Sequence, residues 1–172
     1  IDGYTQPGSS ANTNPVGQGL NTVLMIEIAG TGTTGNGLVV EAINVTIRGL
    51  AINRFSQRQV EGSFSELHSN LVVEGCFLGS SPGGLLGYNG GGGVTAEHPG
   101  ARVGGLTPGQ RNLISLSLSI EEGVAQGNLV GTDIGGVRRM PGMPLGYAGI
   151  DVGGNGPVTI GGGVSHVGER VG

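Results

Sequence analysis

Three carboxylates and one histidine lie between residues 61 and 74, and a pair of carboxylates is what hydrolysis of a glycosidic bond needs. They are Glu61, Glu66, His68 and Glu74. Glycoside hydrolysis ordinarily uses two carboxyl groups, one protonating the leaving oxygen and one acting as base or nucleophile. The alternative is a solvated outer face, which we favour because the chain has no Asp-Asp pair, no His-Gly pair and no Lys. We therefore assign no catalytic residue, and keep enzyme activity as an alternative.

Two aspartates could supply oxygen ligands to calcium, since turns of repeat proteins bind Ca²⁺ through carboxylates and carbonyls. They are Asp133 and Asp151, and the chain has only 12 acidic residues with no Asp-rich nonapeptide repeat. The expected role of Asp133 is to cap a turn through its own backbone. We predict no metal site and no cofactor, with calcium as the alternative.

A basic loop is the candidate contact surface. Arg138, Arg139 and Met140 lie in a segment that interrupts the repeat described below. Loops that leave a rigid scaffold often carry recognition. The other interpretation is a plain connection without a partner.

The composition indicates a fold with many tight corners. Glycine accounts for 39 of 172 residues, far above its average usage of about 7%. Charged residues are 12%, too few for a disordered chain, and the Gly period of collagen is absent. Aromatic residues are 3% and Trp is absent, so Val, Ile and Leu supply the apolar surface, which suits buried strands.

The charge excludes some partners. The net charge is −4 and all eight basic residues are Arg, so nucleic acid is not expected to bind. No apolar stretch reaches the roughly 18 residues of a membrane span. The chain begins without Met and without a signal segment, and its single Cys fits a protein outside the cell. We expect a fragment of a longer, exported protein.

An internal repeat organises the chain. Residues 73–81 and 125–133 share the pattern apolar, polar, Gly, small polar, two apolar, Gly, polar turn, at an offset of 52 residues. Further matched blocks follow both copies in the same order, and we interpret residues 138–141 as an insertion in the second copy. A unit of this length fits two coils, each of roughly 20 residues or slightly more.

Short apolar runs bounded by Gly, Pro, Asn and Ser predict strands without helices. The sequence therefore predicts an all-β fold, a right-handed parallel β-helix (β-solenoid) of roughly five to seven coils in one domain, residues 1–172. Stacked coils bury a continuous core that no single coil could form. Residues 1–22 are polar and irregular, and we expect them to cover one end of the stack, where strand edges are unpaired.

Four turn residues could form a ladder inside the stack. Asn53, Cys76, Asn112 and Asn128 are placed at comparable turn positions by the repeat. Stacked Asn side chains hydrogen-bond neighbouring coils and satisfy buried main-chain groups. A ligand-binding role is the alternative. Cys76 would be a small buried hydrophobe, because no basic neighbour in sequence lowers its pKa.

Several of these segments resemble a family of large bacterial right-handed parallel β-helix repeat proteins. Residues 1–8 resemble its opening motif, 45–55 its TIRGLVINRF coil, 111–115 its ARNVIS coil and 126–133 its EGNYIGTD coil. The resemblance implies an exported or cell-surface bacterial protein without an assigned activity. Cys76 stands where the family usually has Asn, and residues 116–123 are shorter than the family's coil.

Three functions remain open at this point. The first is a non-catalytic extracellular structural or adhesive module, a rigid scaffold or binding surface for cell-surface glycan or another protein. The second is a polysaccharide-degrading β-helix enzyme, a lyase or glycoside hydrolase; the chain lacks the Asp-Asp pair, the His-Gly pair and the Lys typical of pectin-cleaving β-helices. The third is a subunit of a fibre or multisubunit surface assembly, in which other protein subunits stack on exposed ends.

Overall fold

The chain forms short strands joined by turns. The computed structural model describes residues 1–31, 34–63, 65, 67–88, 90–143 and 149–161. This part contains two 3₁₀ turns, Gly3–Thr5 and Pro108–Gln110, and no α-helix. Its strands are β1 Glu27–Ala29, β2 Leu38–Val39, β3 Thr46–Arg48, β4 Ala51–Asn53, β5 Arg58–Gly62, β6 Val72–Glu74, β7 Phe77–Leu78, β8 Gly92–Ala96, β9 Ala101–Gly104, β10 Leu113–Ile114, β11 Leu118–Ile120, β12 Gly123–Gln126, β13 Leu129–Val130, β14 Ile150–Val152 and β15 Val158–Ile160.

Every third strand pairs in parallel, so the strands form three five-stranded sheets. Sheet 1 has the order β1-β4-β7-β10-β13, sheet 2 the order β2-β5-β8-β11-β14, and sheet 3 the order β3-β6-β9-β12-β15. Each coil of the chain contributes one strand to each sheet, and five coils stack in the described residues. The prediction of a parallel β-solenoid is confirmed. Within the described residues no helix is long and apolar enough to cross a membrane.

The register explains the offset between the two repeat copies. Phe77 lies opposite Leu113, and Leu113 lies opposite Leu129, so the two copies occupy the same position two coils apart. The coils are unequal, however. The coil from Phe77 to Leu113 has 36 residues and the coil from Leu113 to Leu129 has 16. The longer coil carries a hairpin. The expectation of two coils of similar length was therefore right in number and wrong in length.

Alternation along sheet 1 creates two apolar layers. Ile52, Leu78 and Ile114 point inward, into the inner core that all three sheets share. Their neighbours Ala51, Phe77, Leu113 and Leu129 point outward, into a second apolar group that we call the outer cluster. The other buried members of the outer cluster are Leu20, Leu24, Leu116, Met140 and Met143. The three central strands of sheet 1 are therefore buried on both faces, as parallel strands usually are.

The opening segment, residues 1–22, does more than cover an end of the stack. The Ile1 carbonyl accepts a hydrogen bond from the Arg48 amide at 3.0 Å, so the chain start lies on the free edge of β3. The segment then runs along the side of the stack, where the Leu20 amide donates to the Ile134 carbonyl at 2.8 Å. It thereby connects the first coil to the fifth.

Two hairpins extend from sheet 1 and cover it. The third-coil hairpin closes with an antiparallel bridge between Ser80 and Gly87, and the fifth-coil hairpin closes with one between Thr132 and Arg139. They contact each other directly, since the Ile134 amide donates to the Gly84 carbonyl at 3.1 Å. The Gly87 amide likewise donates to the Pro141 carbonyl at 2.8 Å.

Glycine is required where sheet 3 turns into sheet 1. Gly49 and Gly75 occupy this corner with φ of 68° and 59°, a region that L side chains rarely adopt. The Tyr4 ring also packs there, and its hydroxyl donates to the Gly75 carbonyl at 2.7 Å. A Cβ atom on Gly75 would clash with the Tyr4 hydroxyl. The apolar run 45–52 is therefore split into β3 and β4.

Candidate functional site

The structure separates the carboxylates that could have formed a hydrolytic pair. Glu61 lies on β5 in sheet 2, and Glu74 lies on β6 in sheet 3. His68 lies in the corner segment between these strands, and Glu66 is outside the described residues. Because the two sheets are different sides of the solenoid, the two described carboxylates do not face one substrate position.

Glu74 belongs to a ladder of alternating charges on the outer face of sheet 3. Its Oε2 lies 2.7 Å from Nη2 of Arg102, and its Oε1 lies 3.6 Å from Nη1 of Arg48. The Nε of Arg48 is in turn 3.6 Å from Oδ1 of Asp2. The Glu74 side chain is only 11% exposed, and both of its carboxylate oxygens lie near an arginine. Charge-assisted contacts of this kind hold successive coils in register.

A pair of histidines occupies the corner between sheets 2 and 3. The His68 and His98 rings lie 5.4 Å apart and are tilted by 48°, and His98 is fully buried. Burial lowers the pKa of His98 below its usual 6.5, nearby His68 lowers it further, and the Val40 backbone opposes this. His98 is therefore neutral at pH 7, since burial disfavours the charged imidazolium.

His98 makes the stability of the fold depend on pH. Its folded pKa is below the unfolded value of 6.5, so the unfolded chain binds more protons as the pH falls through about 6.5, and stability decreases. Urea unfolding between about pH 5.5 and 7.5 should show this decrease. The variant His98→Leu should show a flatter profile over the same interval. An unchanged pH dependence in that variant would contradict the assignment.

The interior turn ladder contains three of the four predicted residues. The Oδ1 of Asn112 accepts from the Cys76 amide at 2.8 Å, and its Nδ2 donates to the Val73 carbonyl and to Oδ1 of Asn128, both at 2.9 Å. Asn128 then donates to the Val103 carbonyl at 2.9 Å. Burial raises the pKa of the Cys76 thiol to about 12. Cys76 is therefore a buried thiol, which does not act as a nucleophile at neutral pH.

Asn53 occupies a different position from the other three. The register places Ala51 opposite Phe77 and Ile52 opposite Leu78, so Asn53 is level with Gly79 and Leu50 is level with Cys76. The fully buried Asn53 donates instead to the Ser80 carbonyl at 2.9 Å and to Oε1 of Glu27 at 2.8 Å. Its assignment to the common turn position was wrong, because Asn53 and Cys76 are 23 residues apart whereas the coil from Ala51 to Phe77 has 26 residues.

A second asparagine pair was missed at the corner before sheet 3. Asn44 and Asn70 both adopt positive φ, 57° and 56°, and Nδ2 of Asn70 donates to Oδ1 of Asn44 at 2.8 Å. Asn tolerates this left-handed conformation better than most residues. Gly100 has the same conformation in the next coil, with φ of 72°. The sequence did contain a signal for this pair, because an Asn followed by an aliphatic residue precedes both β3 and β6.

The candidate contact loop is only partly exposed. Arg138 and Arg139 are exposed, whereas Met140 is 1% exposed and packs in the outer cluster. Met140 is therefore not a contact residue, because its apolar side chain covers sheet 1. The three residues are also not an insertion. The Met140 amide donates to the Gly131 carbonyl at 3.0 Å, just as the Tyr88 amide donates to the Gly79 carbonyl at 2.7 Å. Because both hydrogen bonds span nine residues, the two hairpins have equal length up to this point.

The two candidate calcium ligands lie on different elements. Asp133 belongs to the fifth-coil hairpin, where its Oδ1 accepts from the Arg138 amide at 3.4 Å. Asp151 lies on β14 in sheet 2. Among the described residues no group of three His, Cys, Asp or Glu side chains could hold a metal ion.

An acidic pocket was not predicted. It has a volume of about 420 Å³ and lies in the corner between sheets 2 and 3, lined by Glu97, Glu121, Glu122 and Asn155 among others. These residues come from three successive coils. Their convergence depends on coil lengths that the repeat offset does not reveal.

These features define a class of protein, the parallel β-solenoids whose coils are joined by polar ladders. No family model, curated protein or solved structure matches the chain.

Proposed function

We propose that the chain is a non-catalytic extracellular module, a rigid scaffold that presents its open faces to a cell-surface glycan or to another protein. The observation that carries the proposal is the position of the carboxylates. Glu61 and Glu74 belong to different sheets, and Glu74 is engaged by two arginines. A glycosidase needs two carboxyl groups facing one bond.

The proposal includes a right-handed β-helix from a family of exported bacterial repeat proteins. Connections between parallel strands of one sheet are right-handed in about 98% of cases, which supports that hand. The resemblance of residues 45–55 and 126–133 to the family's coils supports both the family and the location outside the cell.

The shape of the surface favours a binding face on sheet 3. The outer face of sheet 1 is covered by the chain's own hairpins. On sheet 3, inward Ile47 and Val73 alternate with outward Thr46, Arg48 and Glu74. Strands spaced about 4.8 Å apart repeat such polar groups at a regular interval, and side chains at a regular interval suit a polymer of sugars.

The test is a glycan panel with two readouts, binding and release of reducing or unsaturated sugars. Binding without sugar release is the expected result. Release of sugar that persists in repeated preparations would contradict the proposal. Failure to bind any glycan would contradict the glycan-binding part and leave protein partners as the ligands to test.

The acidic pocket favours a second candidate, a polysaccharide-degrading enzyme. Glu97, Glu121 and Glu122 line one concave site, and concave sites with convergent carboxylates are where hydrolysis would occur. The double variant Glu121→Gln/Glu122→Gln separates the two functions, with Ser119→Ala on the neighbouring strand as the matched control. The enzyme requires turnover that the double variant loses and Ser119→Ala retains, whereas the module requires no turnover in any of the three proteins.

A further inference from the structure

Arg111 is a buried cation without an anionic partner. It is 2% exposed, and among the described residues no carboxylate forms an ion pair with it. Its guanidinium instead donates to four main-chain carbonyls: Gly127 at 3.1 Å, Asn14 at 3.4 Å, Pro15 at 3.0 Å and Gln18 at 3.0 Å. Carbonyl dipoles solvate the group without neutralising it, and burial lowers its pKa below the usual range. An unneutralised buried charge is unfavourable.

A pocket of about 190 Å³ opens beside this guanidinium. Gly17 and Gln18 of the opening segment line one wall, and Gly135, Gly136 and Val137 of the fifth-coil hairpin line another. The volume corresponds to about six waters at 30 Å³ each. A pocket of this size can hold one small polar group of a larger ligand, and the rest of the ligand would lie outside the pocket.

The chain next to the pocket carries two exposed arginines. Val137 is 83% exposed at the rim, and exposed Arg138 and Arg139 follow it directly. The nearest carboxylate on the hairpin is Asp133, whose Oδ1 accepts from the Arg138 amide at 3.4 Å. Arg111 lines the pocket, and two further arginines follow the lining residue Val137 in the chain.

We propose that this pocket binds the carboxylate group of an acidic ligand. A guanidinium has five N–H donors, and four contacts to carbonyls leave one for the ligand. A carboxylate there would gain a charge-assisted hydrogen bond and neutralise Arg111. Arg138 and Arg139 would attract the rest of an acidic polymer. Within the proposed glycan-binding function, on which this identification rests, the ligand is a polysaccharide that contains uronic acid.

Substitutions of Val137 test the proposal and leave Arg111 and its four carbonyl contacts intact. Val137→Asp should weaken binding of an oligogalacturonate, and Val137→Lys should strengthen it, each by about fivefold, because one charge a few ångströms away contributes about that factor in water. Val137→Asn is the neutral control. Titration calorimetry at low ionic strength measures the dissociation constants, and unfolding in urea checks that all three variants fold.

Two further measurements complete the test. The methyl ester of the same oligomer should bind at least tenfold more weakly than the acid, and the acid should shift the amide NMR signals of Gly17, Gly135 and Gly136. If acid and ester bind equally, or if the Val137 variants all match the wild type, the pocket proposal is wrong, while glycan binding elsewhere still supports the proposed function. If only neutral glycans bind, the same conclusion follows. If inorganic sulfate displaces the acid fully at equal concentration, the site is a general anion site and the carboxylate assignment fails.

Discussion

Replacing Phe77 by alanine is expected to lower the free energy of unfolding by about 3 to 5 kcal/mol. Phe77 is fully buried and points into the outer cluster with Leu20, Leu24 and Met140. Alanine would leave a cavity between sheet 1 and the chain that covers it, and the surrounding segments would relax only partly. Urea denaturation followed by far-ultraviolet circular dichroism measures the change.

The control for this variant is Leu85→Ala. Leu85 is 66% exposed at the tip of the third-coil hairpin, so its truncation should change stability by less than about 0.5 kcal/mol. Phe77→Ala should also make residues 8–25 more susceptible to limited proteolysis, because Leu20 and Leu24 lose their contact. Equal effects of the two substitutions would show that the outer cluster does not hold the covering segments in place.

Replacing Asn112 by alanine is expected to cost between about 2 and 6 kcal/mol, since two buried main-chain groups each lose their partner at about 1 to 3 kcal/mol. Those groups are the Cys76 amide and the Val73 carbonyl. They belong to the coil that precedes Asn112 in the stack, so the Asn112 side chain links two successive coils. Chemical denaturation again measures the loss.

Two comparisons test that interpretation. Asn128→Ala should cost less, because Asn128 is only half-buried and donates to one carbonyl. Asn155→Ala, at an exposed position, should have almost no effect. If Asn112→Ala were no more destabilising than Asn155→Ala, the ladder would not contribute to stability.

Much of the architecture follows from the sequence, because a solenoid repeats its local chemistry. The equivalence of residues 73–81 and 125–133 could be predicted from their constant offset, and Phe77 and Leu129 do lie in one sheet two coils apart. The offset says nothing about how the repeat is divided between its two coils, since hairpins add residues without adding strands. The error at Asn53 followed directly from an assumed coil length.

The polar sites were less predictable than the fold. Cys76 and Asn128 were matched correctly because they lie in the aligned copies, and Asn112 because Asn-Leu-Ile repeats the local pattern. Arg111 was not singled out, since the three carbonyls of the opening segment that it binds are 93 to 97 residues away in sequence. Nothing in a local pattern indicates such a contact. The burial of Met140 was missed for the same reason.

The direct contact between the two hairpins limits how this protein can change in length. Ile134 and Pro141 hydrogen-bond to Gly84 and Gly87 across the intervening fourth coil, which has no hairpin. A duplication of one coil between them would move the hairpins apart by one strand spacing, about 4.8 Å, and would break both hydrogen bonds. Duplication of the complete two-coil unit would preserve them. Evolutionary growth or engineered extension of the stack should therefore occur in pairs of coils.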